Sequence, residues 1–197
     1  MAREGLTRAR LLKGVAMAGG GALAGGIALG GLPERAVSKP SARQDAEILN
    51  FVLLFEHVQS QFYAQALKTA KLQGELLEFA QILAGQEGEH LAFVRKALGS
   101  GANKLPALDF GDSVTDPQKF AQTSLKLEDL GVAAYNAQAP NLTAGTLAAA
   151  AKIVSVEARH AAWIRDLRGM NPAPDASEPS VDAQRVIDTF KGSGYVQ

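Results

Sequence analysis

The sequence predicts an all-α fold: a four-helix bundle of two antiparallel hairpins joined by one long crossover, with a short helix after it. Three observations lead there. Helix formers dominate the middle of the 197-residue chain, and no alternating β-branched run reaches strand length. Gly and Pro punctuation cuts residues 41–170 into four long segments with apolar residues at helical spacing. Two of the connections between them are tight, whereas the middle one, residues 100–116, is seventeen residues long. The chain is one domain's worth plus tails, large enough to bury a core. Its formal charge of zero, with no basic stripe interleaved with aromatics, argues against a nucleic-acid partner. It has no cysteine, which rules out disulfides, thiolate zinc sites and cysteine nucleophiles and leaves the redox compartment open.

Residues 1–40 stand apart. "TRARLLK" at residues 7–13 is a basic start, and Gly14–Leu32 contain only Gly, Ala, Val, Met, Leu and Ile. This is the layout of a bacterial export signal, with a "PERAVSKPSA" spacer behind it. It resembles a twin-arginine signal, with Ala9 in the second Arg position and Arg10 one place later. The apolar run is about long enough to span a bilayer, but its eight glycines make a feeble anchor. We expect an exported protein of the periplasm or cell envelope, touching membrane only through this segment if it stays uncleaved.

Helix one is expected over roughly 42–72, with Ile48, Val52, Phe55, Phe62, Ala66 and Leu67 on its apolar side and Gly74 breaking it. Helix two, roughly 75–98, carries Phe79, Leu83, His90, Val94 and Leu98 and stops at Gly99–Gly101. Asp116 caps helix three and Pro117 takes its first turn. It ends at Pro140; Asn141 and Thr143 open helix four, which runs to Gly169. "NPAPDASEPS" reads as a linker, and Val181, Val186, Ile187 and Phe190 give a terminal helix packing over the bundle, so that residues 171–197 form linker and lid. Helices of this length measure about 40 Å, and an extended seventeen-residue loop reaches roughly 55 Å, so the middle connection can run the length of the bundle.

The two hairpins repeat one another. Glu56 is followed seven residues later by Tyr63, and Glu128 seven residues later by Tyr135. After each comes a turn and then Glu-x-x-His-x-Ala-aromatic: "EGEHLAF" at 87–93 and "EARHAAW" at 157–163. Glu56 precedes Glu87 by 31 residues and Glu128 precedes Glu157 by 29. Side chains three, four and seven apart share a helix face. Glu87 and His90 therefore fall in line with Phe79, Leu83 and Val94, and Glu157 and His160 with Ile153, Ile164 and Leu167. Glu56 lines up with Ile48, Val52, Gln59 and Tyr63, and Glu128 with Leu125, Val132 and Tyr135. Four carboxylates and two imidazoles thus interrupt core stripes. Burying one bare carboxylate costs several kcal/mol, about the scale of a whole domain's stability, and four repel one another. Something positive must sit among them, and six O and N donors suit two divalent first-row metals such as iron or manganese.

Glu56, Glu87-x-x-His90, Glu128 and Glu157-x-x-His160 resemble the ligand set of ferritin-like di-iron carboxylate proteins, whose bundle has this same single long crossover. More narrowly, "LLFEHVQSQFY" at 53–63, "PALDFGD" at 106–112 and "LEDLGVAAY" at 127–135 look like the bacterial ferritin-like domain group that includes desiccation-related proteins. The likeness covers roughly residues 45–190. It implies that Glu87 and Glu157 bridge two iron (or manganese) ions, that Glu56 and Glu128 each bind one, and that His90 and His160 add one nitrogen per metal. It also places Tyr63 and Tyr135 beside the metals, either as redox residues or as core aromatics with a bonded hydroxyl. His57 points about 100° away from Glu56 and reads as surface or second layer. Glu89 and Arg159 read as solvated, and Phe93 and Trp163 as packing.

Two functions fit. In one, a dinuclear centre reacts with dioxygen or peroxide as a ferroxidase, peroxidase or oxidase, or in a catalase-like way with manganese. In the other, a non-catalytic stress- or desiccation-related bundle keeps the metal or the fold for stability or partner binding. A homo-oligomer is compatible with either.

Overall fold

The computed structural model describes residues 39–196; the expected export signal lies outside them. Among the described residues five α-helices follow one another: α1 (Ala42–Thr69), α2 (Gly74–Leu98), α3 (Pro117–Gln138), α4 (Ala144–Leu167) and α5 (Ala183–Gly192). Among the described residues there is no strand, only an isolated antiparallel bridge between Leu108 and Val196. No described helix is long and apolar enough to cross a membrane.

Local chemistry sets the helix ends. Ser41 caps α1 by accepting from the Gln44 amide at 3.3 Å, and Asp116 caps α3 by accepting from Gln118 and Lys119 at 2.8 and 2.9 Å. Pro117 follows in the first turn, where its missing N–H costs nothing. Helix α1 stops at Thr69 rather than 72, because Lys71 takes a left-handed backbone (φ 49°) and reverses the chain before Gly74, which starts α2 instead of breaking α1. Pro140 closes α3 through a single 3-10 turn, Ala139–Asn141, so Asn141 belongs to the turn and α4 starts after Thr143. The Thr143 amide is met from across the bundle: Asp45 accepts from it at 2.9 Å, and from the hydroxyls of Thr143 and Thr146 at 2.5 and 2.6 Å. Those bonds outweigh the burial of Asp45 and hold its carboxyl below the usual range.

The crossover runs along α1. Asn103 donates to Asn50, the Pro106 carbonyl meets His57 Nε2 at 3.0 Å, and the Val114 carbonyl accepts from Thr69. In sequence order these contacts climb α1 from one end to the other, so α3 begins where α1 ends and runs antiparallel to it. His57 is therefore half-buried and ties the crossover down; burial pushes its pKa down. On the way the crossover drives Phe110 into the core against Phe62, ring centroids 5.4 Å apart. Phe62 also stacks on Phe120 at 5.3 Å. Helix α5 covers the bundle with Val186, Ile187 and Phe190, the last 5.5 Å from Phe55, and Val181 donates to the Ala133 carbonyl. Leu67 lies off the core, 37 % exposed.

Candidate metal centre

The six residues of the repeated pattern meet at mid-bundle, one or two from each long helix. Glu56, Glu87, Glu128 and Glu157 have no solvent exposure, and His160 is buried. His90 retains 12 % of its side-chain exposure. Each histidine turns Nδ1 inward. His90 Nδ1 lies 3.1 Å from Glu157 Oε1, 3.3 Å from Glu87 Oε2 and 3.6 Å from Glu56 Oε2. His160 Nδ1 lies 3.0 Å from Glu87 Oε1 and 3.3 Å from Glu128 Oε2. Glu89 and Arg159, inside the motif spacers, are exposed.

The donors sort into two overlapping sets, Glu56–Glu87–His90–Glu157 and Glu87–Glu128–Glu157–His160, each with one ligand atom per residue and all atoms within 4.8 Å of one another. Glu87 and Glu157 belong to both. Either set can hold a metal ion.

Each carboxylate has one oxygen tethered and one without a hydrogen-bond partner. Tyr135 donates to Glu56 Oε1 and Tyr63 to Glu128 Oε1, both at 2.5 Å. Gln59 Nε2 donates to Glu128 Oε1 at 3.0 Å and Glu157 Oε2 at 3.2 Å, while His90 reaches Glu87 Oε2. Among the six residues of the pattern, the unpartnered buried atoms are Glu56 Oε2, Glu87 Oε1, Glu128 Oε2, Glu157 Oε1 and His160 Nδ1. Buried polar atoms rarely go without a partner; five orphans in one cluster of oxygen and imidazole donors fit a bound metal ion.

Electrostatics point the same way. Burial raises the Glu56 and Glu157 carboxyls to about 7 against the pull of His90, and burial with the neighbouring Glu157 charge raises Glu87. Burial opposes a charge on the histidines too, but the carboxylates outweigh it, raising His90 to about 12 and His160 to about 10. Two imidazolium charges still offset only half of four carboxylates. Burial and the adjoining glutamates push the Tyr63 and Tyr135 hydroxyls far up, so both remain protonated donors.

The tyrosines work crosswise. Tyr63 stands on the first hairpin and holds Glu128 of the second; Tyr135 on the second holds Glu56 of the first. Gln59 stood on the core line of helix one with no role evident, and only the fold brings its amide to the other hairpin. Gln86 Oε1 accepts from His160 Nε2 at 2.5 Å across the bundle, fixing that ring as a supporting partner of a metal-binding histidine commonly does. No sequence signal marks it beyond its place before Glu87. Gly131 is needed for close approach: a Cβ there would sit 2.9 Å from the Phe55 ring and 3.1 Å from Glu157 Oε2. These residues break the repeat, since Gly131 occupies the position matching Gln59, and Val156 the one matching Gln86. The Glu128–His160 side is the more tightly bonded of the two.

Trp163 packs edge-on against Phe79 at 5.3 Å and donates to Glu75. Phe93 is 49 % exposed, less a core residue than its place in the motif suggested.

The family model described as a ferritin-like domain matches residues 44–170, a span that takes in all six clustered side chains. No curated protein matches the chain.

Proposed function

The chain belongs to the ferritin-like domain family, and we propose that its buried cluster is a dinuclear centre, iron or manganese, that reacts with dioxygen or peroxide in the bacterial cell envelope. The observation that carries this reading is the sharing of Glu87 and Glu157 between two complete donor sets. A metal pair held by these residues would supply the electrons for reducing an oxygen species.

The protein's own part is to hold and to seclude. Glu87 and Glu157 serve both positions, Glu56 with His90 completes one, and Glu128 with His160 completes the other. Tyr63, Tyr135 and Gln59 fix Glu56, Glu128 and Glu157 through one oxygen each and leave the other without a hydrogen-bond partner. The Phe62–Tyr63–Phe79–Phe120 cluster at one end, and Val52, Val94 and Ile153 at the other, keep bulk water from the centre. The twin-arginine-like start supports export of a protein folded, and loaded, before it crosses the membrane.

The test is an anaerobic metal-free preparation given two equivalents of Fe(II) and then oxygen. Oxygen uptake matched to Fe(II) oxidation, and absent from the Glu87→Ala/Glu157→Ala double variant, supports the reading. A protein that holds the metal yet consumes no oxygen or peroxide is instead a metal-stabilised scaffold.

A further inference from the structure

Next to the centre lies a cavity of about 250 Å³, bounded by all four long helices. Its buried floor is Val52, Val94, Tyr135 and Ile153, and its exposed lining includes Phe93 on α2 and Gly145 on α4, which puts the mouth between those helices. Val52 precedes Glu56 by four residues, Ile153 precedes Glu157 by four and Val94 follows His90 by four. The floor is therefore one helical turn from the Glu56–His90 side of the centre, the side that lacks the Gln59 and Gln86 counterparts.

What the cavity offers a ligand is carbon. No charged side chain lines it. Of the three polar side chains on its wall, the Tyr135 hydroxyl donates to Glu56 and the Thr146 hydroxyl to Asp45, so that one amide, that of Gln138, stands among eleven apolar lining residues. The space exists because α4 presents Gly145, Ala149 and Ala150 where larger side chains would have met α2. An enclosed apolar cavity of roughly 150 Å³ takes up benzene and stays dry without it, so this one is larger than a single ring needs. An ion finds no opposite charge there, whereas a hydrocarbon body gains about 0.8 kcal/mol for each methylene removed from water.

We propose that this cavity is a binding site for a small molecule with a hydrocarbon body, seated through the α2–α4 mouth with its inner end against Tyr135 and the Glu56–His90 side of the centre. That a ligand so placed is a substrate rests on the proposed function; that it binds does not.

The probe is 1-octanol, titrated calorimetrically into the full chain with and without reconstituted metal. Saturable binding of one molecule per chain to both forms is expected. Gly145→Leu and Ala149→Phe should each weaken it at least about tenfold, while Leu147→Ser, on α4 but outside the lining, keeps the original affinity. A Cβ at Gly145 meets nothing within 4 Å, so that variant fills space without straining the helix; circular dichroism checks that it folds. No saturable binding, or unchanged affinity in both filling variants, overturns the proposal. Octanol binding to a chain that takes up no metal upholds it and overturns the reading of the centre alone.

Discussion

Glu157→Gln tests the electrostatics with opposite signs in two measurements. Glu157 is fully buried, lies 3.1 Å from His90 Nδ1 and belongs to both donor sets. Its carboxyl is raised from 4.5 to about 7, so even with His90 beside it the charged form is disfavoured in the metal-free fold. At about 1.4 kcal/mol per pH unit, holding it ionised costs on the order of 3 kcal/mol at pH 8. Glutamine keeps the shape, removes the charge and retains a smaller burial cost of about 1 kcal/mol. The metal-free variant should therefore be the more stable by about 2 kcal/mol, a rise in melting temperature of roughly 4–8 °C. A raised carboxyl pKa gives stability that is complete below the unfolded value of 4.5 and lost as pH climbs through about 7. The gain should accordingly be full at pH 8 and gone by pH 4.5, where glutamine's burial cost of about 1 kcal/mol leaves the variant slightly the less stable. The same variant should lose metal from both positions. The assay is thermal and urea denaturation of metal-depleted protein at the two pH values, followed by Co(II) titration. A variant less stable at pH 8 that still takes up two Co(II) ions refutes the reasoning.

Glu56→Gln removes a donor from only one set, so Co(II) uptake by elemental analysis should fall by about half where Glu157→Gln removes nearly all of it. Tyr63→Phe leaves Glu128 Oε1 with Gln59 as its partner, and should cost about 1–2 kcal/mol in urea denaturation while metal content is kept. Gly131→Ala drives a methyl into the Phe55 ring and the Glu157 carboxylate; a loss of about 1–3 kcal/mol is expected, with weakened metal binding, and a neutral result would contradict the close approach. Without metal the whole chain should lose stability as pH rises from 4.5 through 7, because the folded cluster binds more protons than the unfolded chain, and reconstituted metal should flatten that slope.

The bundle was legible because its signals are local. Asp116 before Pro117 caps a helix wherever it occurs, and Glu87, His90, Glu157 and His160 fall into core stripes by helical spacing alone. The length of residues 100–116 was enough to expect a crossover. What the chain does through space was not legible. Lys71 in a left-handed turn has no marker, because Gly is the residue that ordinarily announces one. Tyr63 and Tyr135 stand seven residues from glutamates on their own helices, yet each bonds the glutamate of the other hairpin, a pairing set by how the hairpins dock. His57 faces away from the centre, and only the path of the crossover shows that it meets the Pro106 carbonyl. Gly131 carries no sequence signal of its own, since its role depends on Phe55 and Glu157 arriving from two other helices. The cavity beside Phe93 is a property of side chains that are not there, and apolar periodicity does not register small residues as space.

The most direct test is the metal content of the full chain after anaerobic reconstitution with Fe(II) or Mn(II) and removal of excess. Two ions per folded chain, lost together when Glu87 and Glu157 are replaced by alanine, is the expected result. A chain that folds stably over neutral pH with no bound ion, or one whose ions survive that double replacement, contradicts the claim that cations make the buried carboxylates tolerable.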